Sequence, residues 1–155
     1  MKNEIKEISK LPSFIFVLFG IQLIIFLYLI IKTKSEYLEI FYILLPVTII
    51  LLVLKLTVVI DSRIFKYRLF PFHFGYKEIE WKEIEMVEIS KIDALSDFMG
   101  WGLRYSTKYG WGYIFNSNDA ILLTLKNGKK LVFTIKNKIE IMKFLTDNKI
   151  PFNIL

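Results

Sequence analysis

Between Lys10 and Lys32 the chain runs for 21 residues without a formal charge, LPSFIFVLFGIQLIIFLYLII. At a helical rise of 1.5 Å per residue that run reaches roughly 30 Å, the thickness of a hydrocarbon core, and it predicts a transmembrane helix over 11–31. A secretory signal peptide has a shorter apolar region followed by small residues at a cleavage site. Here the run ends in Ile31-Lys32-Thr33-Lys34, which favours a helix that stays in the membrane.

A second uncharged run, Ile40 to Leu54, extends to about twenty residues (37–56) if Glu39 and Lys55 sit near the headgroups. Tyr37 and Tyr42 suit an interfacial belt, and bilayer helices tolerate a proline such as Pro46. The alternative is one spanning helix and a buried core helix. With roughly Lys32 to Glu36 between the runs, the reading is a tight antiparallel hairpin, which puts both chain ends on one side. Lys2, Lys6, Lys10, Lys55, Arg63, Lys66 and Arg68 flank the outer ends, against Lys32 and Lys34 in the turn. This bias predicts a multi-pass protein of the cell (inner) membrane with both termini in the cytoplasm.

Charge is distributed to match. Of 36 charged side chains, 26 lie in residues 61–155, where the balance is mildly basic, and the mean hydropathy of the whole chain is +0.46. The chain therefore divides into a membrane part, 1–56, with an N-terminal tail and two helices, and a cytosolic part, 57–155. The absence of cysteine excludes a disulfide scaffold. His73 is the single histidine, so a His-based metal set and a Cys nucleophile are excluded and no cofactor is implied. It reads as an exposed turn histidine after Pro71. Interleaved glutamates and the membrane anchor argue against nucleic acid as a partner.

From Leu56 onward, β-branched and aromatic residues come in short alternating runs. Leu56–Ile60 and Ile64–Phe70 flank Asp61-Ser62-Arg63 as a hairpin. Glu78 to Ile89 has apolar residues at strand spacing, its glutamates forming a solvated face. Around Asn127-Gly128, a two-residue type I′ turn would pair Leu122 with Phe133 and Thr124 with Leu131. Leu122, Leu131, Phe133 and Ile135 then share a face, and the opposite face, with Ile121, Leu123 and Val132, needs a cover. Asn137 with Glu140 reads as a helix start, and Ile139, Met142 and Leu145 as the stripe of a helix over 138–148.

Two surfaces stand out as candidate sites. Gly100-Trp101-Gly102-Leu103-Arg104-Tyr105 and Gly110-Trp111-Gly112-Tyr113 repeat a Gly-Trp-Gly unit, and Trp101, Arg104, Tyr105, Trp111 and Tyr113 are the candidate partner-binding residues. The same pattern also suits a structural role, with glycines at turns, tryptophans in a core and Arg104 paired to Asp93 or Asp97. Arg63, Lys66 and Arg68, following the second helix, are candidate anionic-lipid contacts, with Lys126, Lys129 and Lys130 a second basic cluster. Ordinary solvated charge is the alternative for all six. With three arginines against 18 lysines, specific phosphoinositide binding is not expected.

The pattern Ile79 to Ile89, the two Trp-Gly units, Ala120–Leu125, Asn127-Gly128-Lys129-Lys130 and the closing helix together resemble a family of bacterial membrane proteins. In that family two N-terminal helices precede a pleckstrin-homology-like domain. The resemblance implies an α+β membrane protein: a transmembrane helical hairpin, then a seven-stranded antiparallel β-sandwich with one end plugged by the C-terminal helix. It carries no catalytic signature. The expected function is a non-enzymatic binding or assembly module held at the bilayer, its partners membrane lipid and a protein or second copy of itself. The alternative is an accessory subunit packing through its helical hairpin, for which Ser13, Gly20 and Thr48 are the small residues on offer.

Overall fold

The residues ahead of the apolar run form a strand. In the computed structural model, which describes residues 4–33 and 38–154, Glu4–Lys10 (β1) alternates strictly, with Ile5, Glu7 and Ser9 buried and Lys6, Ile8 and Lys10 exposed. It is followed by two helices, Ser13–Thr33 (α1) and Leu38–Val53 (α2). Then come the strands Lys55–Asp61 (β2), Ile64–Phe70 (β3) and Lys77–Glu80 (β4), a 3₁₀ turn at Trp81–Glu83, and Ile84–Lys91 (β5). Gly102–Ser106 (β6), Gly110–Ile114 (β7), Asp119–Leu125 (β8) and Lys130–Thr134 (β9) precede the helix Lys138–Asp147 (α3) and a last short strand, Asn153–Ile154 (β10). The fold class is α+β.

The chain divides into two units, and the division differs from the expected boundary. Leu11–Leu54 forms one; the stretch ending at Lys10 belongs with everything from Lys55 onward. The N-terminal segment expected as a tail is thus a strand, because β1 hydrogen-bonds along the whole of β2, from Glu4 opposite Asp61 to Lys10 opposite Lys55.

In the helical unit, α1 is the one described helix long and apolar enough to cross a membrane. α2 has 16 residues against the expected twenty, because Lys55 and Leu56 are taken by β2. It continues through Pro46, and Thr48 Oγ1 donates to the Leu44 carbonyl within it. The two helices touch one another. Tyr37 and most of the expected turn lie outside the described residues.

The β unit holds two sheets, one ordered β1-β2-β3-β4 and the other β10-β5-β8-β9-β7-β6. Their inner faces meet through aromatic rings: Phe65 and Tyr67 of β3 lie 4.9 and 4.8 Å from Phe133 of β9, and Tyr67 lies 5.1 Å from Tyr113 of β7. Such tilted and edge contacts add to the area each ring buries. The stretch 78–89, alternating throughout, is broken by the 3₁₀ turn that carries the chain from one sheet to the other. Trp81 fastens this crossing by donating its indole N–H to the Asp61 carbonyl at 2.8 Å. The second sheet is mixed rather than antiparallel, since β7–β9 and β5–β10 are parallel pairs.

The hairpin at Asn127-Gly128 forms, one residue out of the expected register. Leu122 faces Val132 and Thr124 faces Lys130, so Ile121, Leu123, Leu131 and Phe133 share the inner face, all but removed from solvent. The cause is the turn. Gly128 has φ +80° and Asn127 does not share that region, so a type I′ turn is not made. Instead Gly128 N–H donates to the Leu125 carbonyl and Leu125 N–H to the Lys129 carbonyl, closing a three-residue loop of Lys126, Asn127 and Gly128. The cover for the other face is the segment 92–101. Its Ile92, Ala94 and Phe98 pack with Ile114, Ala120, Leu122 and Val132.

α3 also differs in the face it buries. Ile141, Phe144 and Leu145 are inside, while Ile139 is 84% exposed, which corrects the expected Ile139–Met142–Leu145 stripe. Nor does the Asn137 side chain cap the helix. The acceptor is Glu7 of β1, only 7% exposed, whose two carboxylate oxygens take the backbone N–H groups of Lys136 at 2.9 Å and Asn137 at 2.7 Å. A carboxylate at a helix start is favoured by the partial positive charge there.

Candidate functional site

The Gly-Trp-Gly repeats become the two strands of a hairpin. β6 is the edge of its sheet, paired only with β7, and the register sets Tyr105 opposite Trp111, Arg104 opposite Gly112 and Leu103 opposite Tyr113. Alternation sets Arg104 on the face opposite Tyr105, Trp111 and Tyr113, Trp101 lies ahead of the strand, and Tyr113 is buried, so the five candidate residues do not form one surface. Tyr113 is buried between the sheets, stacked on Phe133 at 4.9 Å. Burial raises its phenol pKa, and a hydroxyl hydrogen bond with Tyr67 raises it further. Trp101 packs beside Tyr109 against the Phe98 cluster on the covered face. Arg104 lies there too, its Nε donating to the Trp101 carbonyl at 3.0 Å.

The expected Asp93 and Asp97 partners are otherwise engaged. Asp93 accepts from the Leu95 and Ser96 amides and the Ser96 hydroxyl, which hold its carboxyl below the ordinary value, while Asp97 accepts the Asp93 amide. Gly112 is required by this packing, because a Cβ on it would collide with the Phe98 ring and Ile114.

Tyr105 and Trp111 remain outside, 62% and 45% exposed, with their rings edge to face at 5.5 Å. Leu103, also exposed, lies on the same face of β6, two residues from Tyr105. These three make an apolar patch on an edge hairpin. Leu103 was not singled out in the sequence, although its position two residues before Tyr105 carries the period-2 signal.

Lys66 and Arg68 share the outer face of β3. Lys66 pairs with Glu78 at 3.3 Å, and Arg68 lies over the Tyr76 ring at 5.0 Å. Arg63 does not join them. It sits in the turn after β2, some six residues or roughly 20 Å along the sheet from Lys55. The residues that do lie beside Lys55 are Lys10 and Phe70, its partners on either side. Lys10, which enters the sequence reading through the charge bias alone, is absent from the candidate lipid contacts because β1 reads as a polar tail: Glu7 and Ser9 point inward and Ile8 outward, inverting the usual pattern.

His73 also differs from the exposed turn residue expected. It is partly buried, with its backbone N–H donating to the Leu69 carbonyl at 2.7 Å and its Nδ1 accepting the Leu69 N–H at 3.2 Å. Its ring meets Tyr67 and Tyr113 edge-on, and burial, with the nearby Lys77 charge, lowers its pKa. Among the described residues, no group of three or more His, Cys, Asp or Glu side chains is placed to hold a metal ion. Compared with known proteins, the chain matches no family model, no curated protein and no solved structure.

Proposed function

We propose that the chain is a non-enzymatic, multi-pass membrane protein whose two helices hold a pleckstrin-homology-like module at the cytoplasmic face of the cell membrane, both termini inside. The module's role is to bind a protein partner, or a second copy, beside anionic lipid. The observation that carries this reading is the pairing of Lys10 with Lys55. Those residues are the last before the helical unit and the first after it. A chain that leaves for the bilayer at Lys10 and rejoins the adjacent strand at Lys55 must cross an even number of times.

α2 supplies the return. Its 16 residues span about 24 Å, and a mismatch of a few ångströms with the hydrocarbon thickness costs only fractions of a kcal/mol per Å. Two sheets packed through their inner faces, with a C-terminal helix burying Ile141, Phe144 and Leu145, support the pleckstrin-homology-like part of the reading. The parallel pairs β7–β9 and β5–β10 depart from the antiparallel pattern that the resemblance implies. Tyr105 and Trp111, with Leu103, are the partner-binding residues in this reading.

Topology reporters fused at each terminus and inserted after Thr33 test it. Both ends are expected inside and the insertion outside; an insertion on the same side as the termini overturns the two-span reading. For the partner, Tyr105→Ala with Trp111→Ala is expected to abolish co-purification of a protein that the unaltered chain retains in mild detergent. Retention of that protein by the doubly altered chain would move the contact to the helices.

A further inference from the structure

The first sheet is electrically polarised along its strands. On its outer face, at one end stand Lys10, Lys55 and Phe70 in one row and, two positions along, Ile8, Thr57 and Arg68, with no carboxylate in either. The next outer-facing row, Lys6, Val59, Lys66 and Glu78, is half neutralised, and the far end carries Glu4, Asp61 and Glu80; the intervening Glu7 faces inward and is taken up by the Lys136 and Asn137 amides. The basic end is the one at which the chain passes into and out of the helical unit.

From that same end projects the connection between β3 and β4, Pro71-Phe72-His73-Phe74-Gly75-Tyr76. His73 folds it back by its two hydrogen bonds to Leu69, and the residues on either side of it face out: Phe72 is 63% exposed and Phe74 94%. Two phenylalanines one residue apart on a loop thus leave most of their ring area to solvent. Phe70 and Tyr76 at the base of the loop are covered by cations, Lys55 at 5.4 Å and Arg68 at 5.0 Å from the ring centres. The β4 residue Lys77 follows directly.

We propose that Pro71–Tyr76 is a membrane-interfacial anchor: Phe72 and Phe74 enter the headgroup and acyl boundary, while Lys10, Lys55, Arg68 and Lys77 engage anionic lipid around them. This rests on the reading of α1 as a membrane span. The occupant is lipid because apolar rings ringed by uncompensated cations match an anionic bilayer surface, rings facing the acyl chains and cations the phosphates. Covalent linkage also fixes the place, since Lys10 and Lys55 each lie one residue from the helical unit. The loop's function is to fix the tilt of the β unit on the bilayer and so the direction in which Tyr105 and Trp111 are presented.

The chain has no cysteine, so single labelling sites can be introduced cleanly. Full-length protein carrying Phe74→Cys, Ser62→Cys or Ile21→Cys is labelled with a nitrobenzoxadiazole probe and placed in phosphatidylcholine vesicles containing phosphatidylserine and a shallow or deep spin-labelled quencher lipid. The probe at 74 is expected to emit further to the blue than that at 62 and to be quenched by shallow lipid about threefold more strongly, an interfacial depth. Replacing Lys10, Lys55 and Arg68 with glutamine, or omitting phosphatidylserine, is expected to reduce the quenching at 74. The position at 21 reports on the span itself and is expected to respond to the deep quencher.

If 21 is quenched and 74 is as water-exposed as 62, the anchor is refuted while the span stands. If 21 is not quenched, the span and the anchor fall together. A probe at 74 shielded from iodide but untouched by either quencher lipid would also refute the anchor, indicating a protein cover.

Discussion

His73 shows how one side chain can be set by its neighbours rather than by its sequence context. As an acceptor for the Leu69 amide, Nδ1 must be free of its proton, so folding favours the neutral ring, and burial with the Lys77 charge pushes the pKa the same way. The folded pKa lies below the ordinary 6.5, so between the two values the unfolded chain binds more protons and stability rises with pH. The contribution is complete above about 6.5 and is lost as pH falls through the folded value. As the single histidine, His73 gives one imidazole resonance, and its titration midpoint by NMR is expected below 6.5. His73→Gln is expected to flatten that part of the stability profile. A midpoint at or above 6.5 would show that the Leu69 amide is not held as described. None of this was legible around Pro71, because the ring's partners Tyr67 and Tyr113 come from different sheets.

At the level of elements, what the sequence disclosed and what it hid divide along local and non-local lines. The apolar run of α1, the hairpin of β2 with β3, the Asn-Gly loop and a helix after Asn137 all rest on neighbours close in the chain, and all form. The register of β8 against β9 missed by one residue because Asn127 avoids positive φ, a choice between two turns that the dipeptide itself does not make. β1 was invisible because its inward Glu7 satisfies amides some 130 positions later. In the Trp-Gly hairpin, Trp101 lies just ahead of β6, between Gly100 and Gly102 at positive φ, and packs on the Phe98 cluster, while Trp111 sits within β7 opposite Tyr105; spacing alone does not show this, since a ten-residue interval spans a turn. The Glu7 contact is the test case. Glu7→Ala leaves two N–H groups at the start of α3 without their acceptor, at a cost of about 1–3 kcal/mol. Faster amide exchange at Lys136, Asn137 and along α3 is the expected signature, with Glu7→Gln, which keeps one carbonyl acceptor, falling between.

For the molecule as a whole, the helical unit Leu11–Leu54 is an insertion between two adjacent strands of the β unit. A fragment beginning at Thr57 loses β1, and with it the hydrogen-bonding partner of β2 and the acceptor for Lys136 and Asn137. It would present β2 as a bare edge with buried Thr57 and Val59 uncovered on one side, the kind of edge that pairs with other copies. A chain in which Leu11–Leu54 is replaced by Asn-Gly should behave differently. Lys10 and Lys55 already face each other at a strand end, so a two-residue turn closes β1 onto β2 as an ordinary hairpin. The relinked chain is expected to be monomeric in water and to unfold in one cooperative transition, whereas the 57–155 fragment aggregates or melts well below it. Equal solubility and equal melting temperature for the two, measured side by side, would mean that β1 contributes nothing. A relinked chain that folds but self-associates through Phe72 and Phe74 would be as an interfacial loop deprived of its bilayer behaves, and replacing both with serine should then restore the monomer.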